Sequence, residues 1–95
     1  MLSKQESRAR WRELRGLINQ WDPIGLISAG APEDEYECVT GPVLRMLETS
    51  ESAEAIAAYL ETEFAEHFGM PAVGASGFAQ QAAQWYRERW PRSTV

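Results

Sequence analysis

The chain has 95 residues, a formal net charge of -5, and hydrophobic and charged fractions of 44% and 24%. This length predicts one domain over residues 1–95 with short flexible ends, and the composition excludes a disordered chain. A single cysteine excludes an internal disulfide. The N-terminus lacks the apolar run of a signal peptide, and no apolar stretch could span a bilayer. We therefore expect a cytoplasmic protein without membrane contact.

The first predicted helix ends at Trp21. Apolar residues recur at three- and four-residue spacing, as on an amphipathic helix: Trp11, Leu14, Ile18 and Trp21. Ser3 and Glu6 fit a capping box at the start of this helix. Asp22 precedes Pro23, and a residue before proline is disfavoured in the α conformation, so the helix stops here.

Residues 22–32 predict a loop whose apolar side chains hold it on the core. Pro32 suits the first turn of a second helix, and the carboxylates that follow suit the positive end of a helix dipole. The apolar face of this second helix continues from the Asp34-Glu35-Tyr36 triplet through these residues: Tyr36, Val39, Val43 and Leu47. Gly41-Pro42 lies within it and predicts a kink or a break.

Two further helices are predicted. The third follows a cap cluster ending at Ser52, buries one apolar stripe and ends at Gly69. The stripe consists of Ala53, Ile56, Ala57, Leu60, Phe64 and Phe68. The fourth runs from about Gly77 to Trp90, with a cap at Ser76, and Pro91 stops it. With no strand-like alternation, the sequence predicts an all-α, single-domain bundle of about four helices.

Few residues offer catalytic or metal-binding chemistry. His67 is the only histidine and Cys38 the only cysteine, so a zinc set and a nucleophile–histidine pair both lack their usual partners. We interpret His67 as a helix C-terminal residue near the last carbonyls, and Cys38 as a small buried hydrophobe. We therefore expect no enzyme activity, no metal and no cofactor.

The least generic stretch is Trp21-Asp22-Pro23-Ile24-Gly25, followed by Asp34-Glu35-Tyr36. With Phe68-Gly69 at the end of a later helix, it resembles the YugE-like family of small bacterial proteins. The resemblance covers residues 14–70 and implies an all-helical domain; it carries over no activity, although similar small proteins include bacterial immunity proteins that neutralise toxins.

Each residue of this stretch also has a sufficient structural role. Trp21 is a core anchor, and Asp22 is a turn residue that accepts from N–H groups after Pro23. Gly25 lies in the turn, and Tyr36 lies on the buried face of the second helix. We therefore assign these five residues to architecture.

Charge is divided unevenly along the chain. Residues 1–20 sum to +3, residues 21–69 to -10 and residues 70–95 to +2. Either the basic terminal helices pack near the acidic middle and offset it, or the middle offers an acidic face to a basic partner.

The sequence favours a small non-catalytic binding protein of the immunity or antitoxin type, which presents an acidic helical surface to a partner protein. The candidate partner-binding residues are Asp34, Glu35, Glu37, Glu54 and Glu61. Two alternatives stay open: a self-associating structural module, and a nucleic-acid-associated regulator that uses the N-terminal arginines. The acidic total and the missing recognition motif argue against nucleic acid.

Overall fold

The computed structural model describes residues 4–32 and 34–90. These residues form four α-helices and no strand: α1 (Lys4–Trp21), α2 (Glu37–Glu48), α3 (Ala53–Glu63) and α4 (Ala75–Arg89). A π-helical turn over Phe64–Phe68 continues α3. The predicted all-α bundle is confirmed. The predicted capping box at Ser3, the stop at Pro91 and the flexible ends lie outside the described residues.

The core forms where the apolar stripes of the four helices meet. Each helix contributes fully or almost fully buried side chains, including Leu14, Ile18, Val39, Val43, Leu47, Ile56, Leu60, Phe78 and Ala82. α3 packs most extensively on α4, and α1 packs on α2. Each large apolar side chain buried in this way contributes about 1.5–3 kcal/mol. Across residues 4–32 and 34–90, no helix has both the length and the apolar character that crossing a membrane requires.

α2 continues without interruption through Gly41 and Pro42. Of the two predicted alternatives, a kink or a break, the break is therefore not present. Because Pro42 has no N–H, the carbonyl of Cys38 loses its helical donor. Cys38 is exposed, so water can replace the missing donor.

The start of α2 differs from the prediction. Pro32 does not open the helix; its carbonyl accepts from the N–H of Glu35 at 3.3 Å, and the Asp34 carbonyl accepts from the N–H of Glu37 at 3.1 Å. These turns end at Tyr36, which has φ -100° and ψ 11°, and α2 begins at Glu37. The predicted role of Asp34 and Glu35 as first-turn helix carboxylates is therefore wrong.

The start of α4 also differs from the prediction. Its N-cap is Gly74, with a left-handed φ of 79°, and the helix begins at Ala75. The predicted cap at Ser76 is wrong. A Cβ built on Gly74 would lie 3.4 Å from Nε1 of Trp21, and that nitrogen donates to the carbonyl of Val73 at 2.8 Å. The end of α1 therefore contacts the loop that starts α4.

The third helix has the two termini that the sequence predicted, and a π-helical turn that no sequence pattern indicated. The hydroxyl of Ser52 caps the start of the helix by accepting from the N–H of Ala55 at 3.1 Å, and Gly69 ends the segment with a left-handed φ of 66°. Both predicted termini are confirmed. Between them the helix widens into the π-helical turn, where the rings of Phe64 and Phe68 lie 5.0 Å apart.

Candidate interaction surfaces

Asp22 organises the loop between α1 and α2. Its carboxylate accepts from the N–H of Ile27 at 3.0 Å, the N–H and hydroxyl of Ser28 at 2.9 and 2.6 Å, and the hydroxyl of Tyr36 at 2.6 Å. Asp22 has a φ of 45°, a conformation that aspartate tolerates better than most residues. The predicted role of Asp22 as a turn residue that accepts backbone N–H groups is confirmed.

These contacts determine the protonation of both partners. Burial alone would raise the pKa of Asp22, but the hydrogen bonds from Ser28, Tyr36 and Ile27 outweigh it and hold that pKa well below its usual value. Tyr36 is fully buried; burial, together with the Asp22 carboxylate, raises its pKa to about 12. A carboxylate that stays ionised beside a phenol that stays protonated forms a structural clamp, because neither exchanges protons near neutral pH.

The other residues of the Trp-Asp-Pro stretch also contact the fold. The half-buried ring of Trp21 stacks on Phe78, with centroids 4.4 Å apart and an angle of 8° between the planes. Pro23 lies in the turn that follows α1. Gly25 adopts a φ of 73°, and its N–H donates to the Asp22 carbonyl at 3.1 Å. These contacts agree with the structural roles that the sequence predicted.

The predicted partner-binding carboxylates near α2 occupy two environments. Asp34 and Glu35 are exposed in the turn before the helix. Glu37 lies in the first turn of α2 and pairs with Arg15 of α1 at 3.6 Å. Glu37 therefore faces α1, and its charge is already partly balanced.

Two carboxylates, Glu35 in the turn before α2 and Glu63 at the end of α3, both act on Cys38 in the first turn of α2. Burial is the main reason that the pKa of the Cys38 thiol is raised, and the charges of Glu63 and Glu35 add to the shift. Burial and the charge of Glu63 also raise the pKa of Tyr59. We name this set, Glu35, Cys38, Tyr59 and Glu63, the α2–α3 acidic surface.

Glu54 and Glu61 belong to another side of α3. Both are exposed, and seven residues place them two turns apart on one face. Residue 61 is rotated by about 200° from residue 59 around the helix axis. Glu54 and Glu61 therefore lie on a different side of α3 from Tyr59.

Sequence reasoning missed Glu63 and Tyr59 as members of a surface. The two residues are four apart and flank the buried positions Leu60 and Phe64. That i, i+4 spacing places them on one edge of the helix, which is a usable signal. The proximity of Glu35 depends on how α2 packs against α3, and no local pattern contains that information.

Cys38 and His67 are both exposed. The prediction that Cys38 is a buried hydrophobe is wrong, because the residue lies off the stripe of α2 that contains Val39 and Val43. Its raised pKa keeps the thiol protonated at neutral pH, where it is a poor nucleophile.

The ring of His67 meets Phe68 edge-on at 5.0 Å. In the described part of the chain, no group of three or more His, Cys, Asp or Glu residues is arranged to hold a metal ion.

A cleft with a volume of about 610 Å³ lies between α1 and α2, and arginines dominate its walls. Arg8, Arg12 and Arg15 come from α1, and Arg45 comes from α2. Trp11 lies among them. We name this feature the basic cleft. Its α1 arginines belong to the group assigned to a possible nucleic-acid patch, whereas the addition of Arg45 requires the packing of two helices and was not predicted.

Trp85 of α4 and Trp90, which directly follows α4, contact α1. Trp85 donates from Nε1 to the carboxylate of Glu13 at 3.2 Å. Arg10 donates to the hydroxyl of Tyr86 at 2.6 Å and lies 5.0 Å from the ring centre of Trp90. These rings are half-buried within the fold. The large hydrophobic side chains exposed among residues 4–32 and 34–90 are Met70 and Val73.

Comparison with known proteins identifies no relative. No family model, no curated protein and no solved structure matches the chain. Membership of the YugE-like family stays a prediction, based on the Trp21-Asp22-Pro23 and Asp34-Glu35-Tyr36 triplets and Phe68-Gly69.

Proposed function

We propose that this chain is a small non-catalytic binding protein of the immunity or inhibitor type, which engages a basic partner protein through the α2–α3 acidic surface. The supporting observation is the state of the carboxylates that the structure describes between residues 21 and 69. Asp22 is held within its loop, and Glu37 pairs with Arg15. In the part of the chain that the structure describes, no other carboxylate of this segment forms an ion pair.

Two basic side chains of the terminal helices are held by contacts away from the acidic middle. Arg10 contacts Tyr86, and Arg89 pairs with Glu13 at 3.3 Å. Both contacts join α1 to α4. Within the described residues, the pair formed by Arg15 and Glu37 is the ion pair that joins a terminal helix to the acidic middle. This arrangement supports the interpretation that the acidic middle is offered to a partner.

The α2–α3 acidic surface combines the two features that a steered interface needs. Tyr59 is a half-buried aromatic, a residue type enriched among side chains that dominate binding energy. Glu63 acts on it directly, and Glu35 acts on the nearby Cys38. Both carboxylates favour encounter with a basic surface, since complementary charge raises the association rate. The exposed carboxylates Asp34 and Glu66 on the neighbouring turn and helix extend the same field.

Comparative affinity purification from an extract of the source organism tests this proposal. The baits are the wild type, E35Q/E63Q, and the matched control E54Q/E61Q, which removes the same charge from the other side of α3. We expect a protein of basic pI that the wild type and the control retain and that E35Q/E63Q loses at least about tenfold, on the scale of close charge pairs. Recovery of the same proteins by all three baits, or of no specific protein, contradicts the proposal.

The inhibitory role needs a second readout. An immunity-type protein must suppress the activity or toxicity of its partner when the two are mixed in equal amounts. We expect E54Q/E61Q to protect as the wild type does, and E35Q/E63Q to protect less. If the partner stays fully active in the complex, the chain binds it without inhibiting it, and the inhibitory role is excluded.

A further inference from the structure

The basic cleft concentrates positive charge in a protein whose net charge is -5. Arg8, Arg12 and Arg15 are spaced by four and three residues, which places them along one side of α1. Arg45 faces them from α2, and Glu48 is the carboxylate among the lining residues. The cleft is therefore an anion-attracting site on an otherwise acidic molecule.

Its arginines divide into one that is fixed and three that are available. Arg15 pairs with Glu37 at 3.6 Å and lies 5.3 Å from the ring centre of Trp11. Arg8, Arg12 and Arg45 are exposed, and none of them forms an ion pair within the described residues. Guanidinium groups present paired donors that match phosphate oxygens, which gives these three side chains a common type of ligand.

The floor of the cleft is apolar and contains a large aromatic ring. Trp11 is half-buried, and Leu44 beside it is buried to 7% exposure. Gly41 borders open space on the α2 side of the cleft, since a Cβ built there would meet no atom within 4 Å. An indole flanked by a guanidinium is a surface on which a planar ring can stack. The volume of about 610 Å³ lies within the range of small-molecule sites, roughly 300–1,000 Å³.

We propose that the basic cleft binds a nucleoside phosphate, with the phosphate groups on Arg8, Arg12 and Arg45 and the base on Trp11. A long nucleic acid fits less well, because its phosphates beyond the cleft would meet the acidic segment of residues 21–69. An extended acidic peptide also fits less well, because both walls are helices and offer no strand edge with which its main chain could pair. The inference is independent of the proposed function, because the two surfaces share no residue and attract ligands of opposite charge.

Calorimetric titration at low salt with ADP, pyrophosphate and adenosine tests the inference on the full chain. ADP is expected to bind saturably at one site, and pyrophosphate and adenosine each at least about tenfold more weakly, since each keeps only one of the two kinds of contact. In an amide and indole NMR spectrum, the indole N–H of Trp11 should shift on ADP addition, whereas that of Trp85 should not.

Single-charge variants locate the site. R12Q and R45Q, on two different helices, should each weaken ADP binding by about tenfold, the scale of a charge-assisted hydrogen bond. R87Q changes the charge equally at an exposed position of α4 and should leave ADP affinity unchanged. W11L should reduce ADP affinity to that of pyrophosphate. Circular dichroism and a thermal melt check that each variant is folded. If W11L fails to fold, the comparison of R12Q and R45Q with R87Q still tests the site.

Four results would overturn the inference. The first is equal affinity for ADP and pyrophosphate, which identifies a phosphate patch without a site for the base. The second is an equal loss in R87Q and R12Q. The third is tighter binding of a single-stranded oligonucleotide or a glutamate-rich peptide than of ADP. The fourth is no saturable binding of ADP.

Discussion

The hydroxyl of Tyr36 donates to the carboxylate of Asp22 over 2.6 Å, across fourteen positions of the sequence. One partner follows the last residue of α1 and the other precedes the first residue of α2. Since Asp22 also accepts from Ile27 and Ser28, the pair closes the loop and sets where α2 begins. The two triplets that make the stretch distinctive therefore meet in space as one structural device.

Removing the hydroxyl of Tyr36 should destabilise the fold. Tyr36→Phe deprives a carboxylate of one hydrogen bond, and we expect a loss of about 1–3 kcal/mol in the free energy of unfolding, measured by urea titration. Tyr59→Phe is the matched control, because no hydrogen bond of its hydroxyl is found within the described residues, and it should lose less than half as much. Equal losses in the two variants would show that the clamp contributes nothing.

The lowered pKa of Asp22 predicts a specific acid sensitivity. Because its folded-state pKa lies below the ordinary 3.8, its stabilisation is complete above that value and is lost as the pH falls below about 4 toward the folded pKa. Asp22→Asn should be less stable than the wild type at pH 7, and the difference should shrink in acid. The exposed control Asp34→Asn should follow the wild-type curve. A difference between wild type and Asp22→Asn that is constant with pH would contradict this linkage.

Trp21 should be the most costly residue of the loop junction to truncate. Trp21→Ala removes the stack on Phe78 and the hydrogen bond to the Val73 carbonyl, and we expect a loss of about 3–5 kcal/mol. Trp21→Phe keeps an aromatic ring for the stack and should lose less. Thermal melts compare the three proteins. If Trp21→Ala melts within about a degree of the wild type, the indole does not anchor α4.

Cys38 should react slowly although it is exposed. Partial burial of the thiol and the charge of Glu63 raise its pKa, so less thiolate is present at neutral pH. The rate of alkylation by iodoacetamide should rise at higher pH than for a cysteine in an unstructured peptide. Glu63→Gln should move the profile back toward that of the peptide, whereas Glu54→Gln should not. Identical profiles for protein and peptide would contradict the placement of Glu63 beside Cys38.

Local periodicity accounts for the parts of the fold that could be predicted. The stripes through Leu14 and Ile18, and through Ile56 and Leu60, repeat every three or four residues, and these side chains are buried. Gly69 was predictable as a helix end because glycine reaches the left-handed region without strain. Such signals depend only on neighbours in the sequence.

The errors arose where distant contacts overrule a local preference. Pro32 suits a first helical turn, but the turn that places the Tyr36 ring on Asp22 takes precedence, and α2 starts later. The cap of α4 is Gly74, next to the Val73 carbonyl that Trp21 of α1 contacts. A cap prediction based on the residue type of Ser76 contains no information about that contact. Cys38 was expected to be buried because cysteine usually is, although its position is off the stripe of α2.

The two candidate surfaces required the same long-range information. The acidic residues were visible in the sequence, and helical spacing alone separates Glu61 from Tyr59 and Glu63. The sequence could not group Glu35 with Glu63, because that grouping follows from the packing of α2 on α3. Likewise, Arg12 and Arg45 face one cleft only because α1 lies on α2. Residue type was therefore readable from the sequence, and membership of a surface was not.

The central claim is that the α2–α3 acidic surface is the binding face, and the association rate of the purified partner protein tests it most directly. Surface-binding kinetics should be measured at low and physiological salt for the wild type, E35Q/E63Q and E54Q/E61Q. The account predicts that salt slows association of the wild type and of E54Q/E61Q alike, and that E35Q/E63Q associates at least about tenfold more slowly at low salt. Equal association rates for E35Q/E63Q and E54Q/E61Q would contradict it.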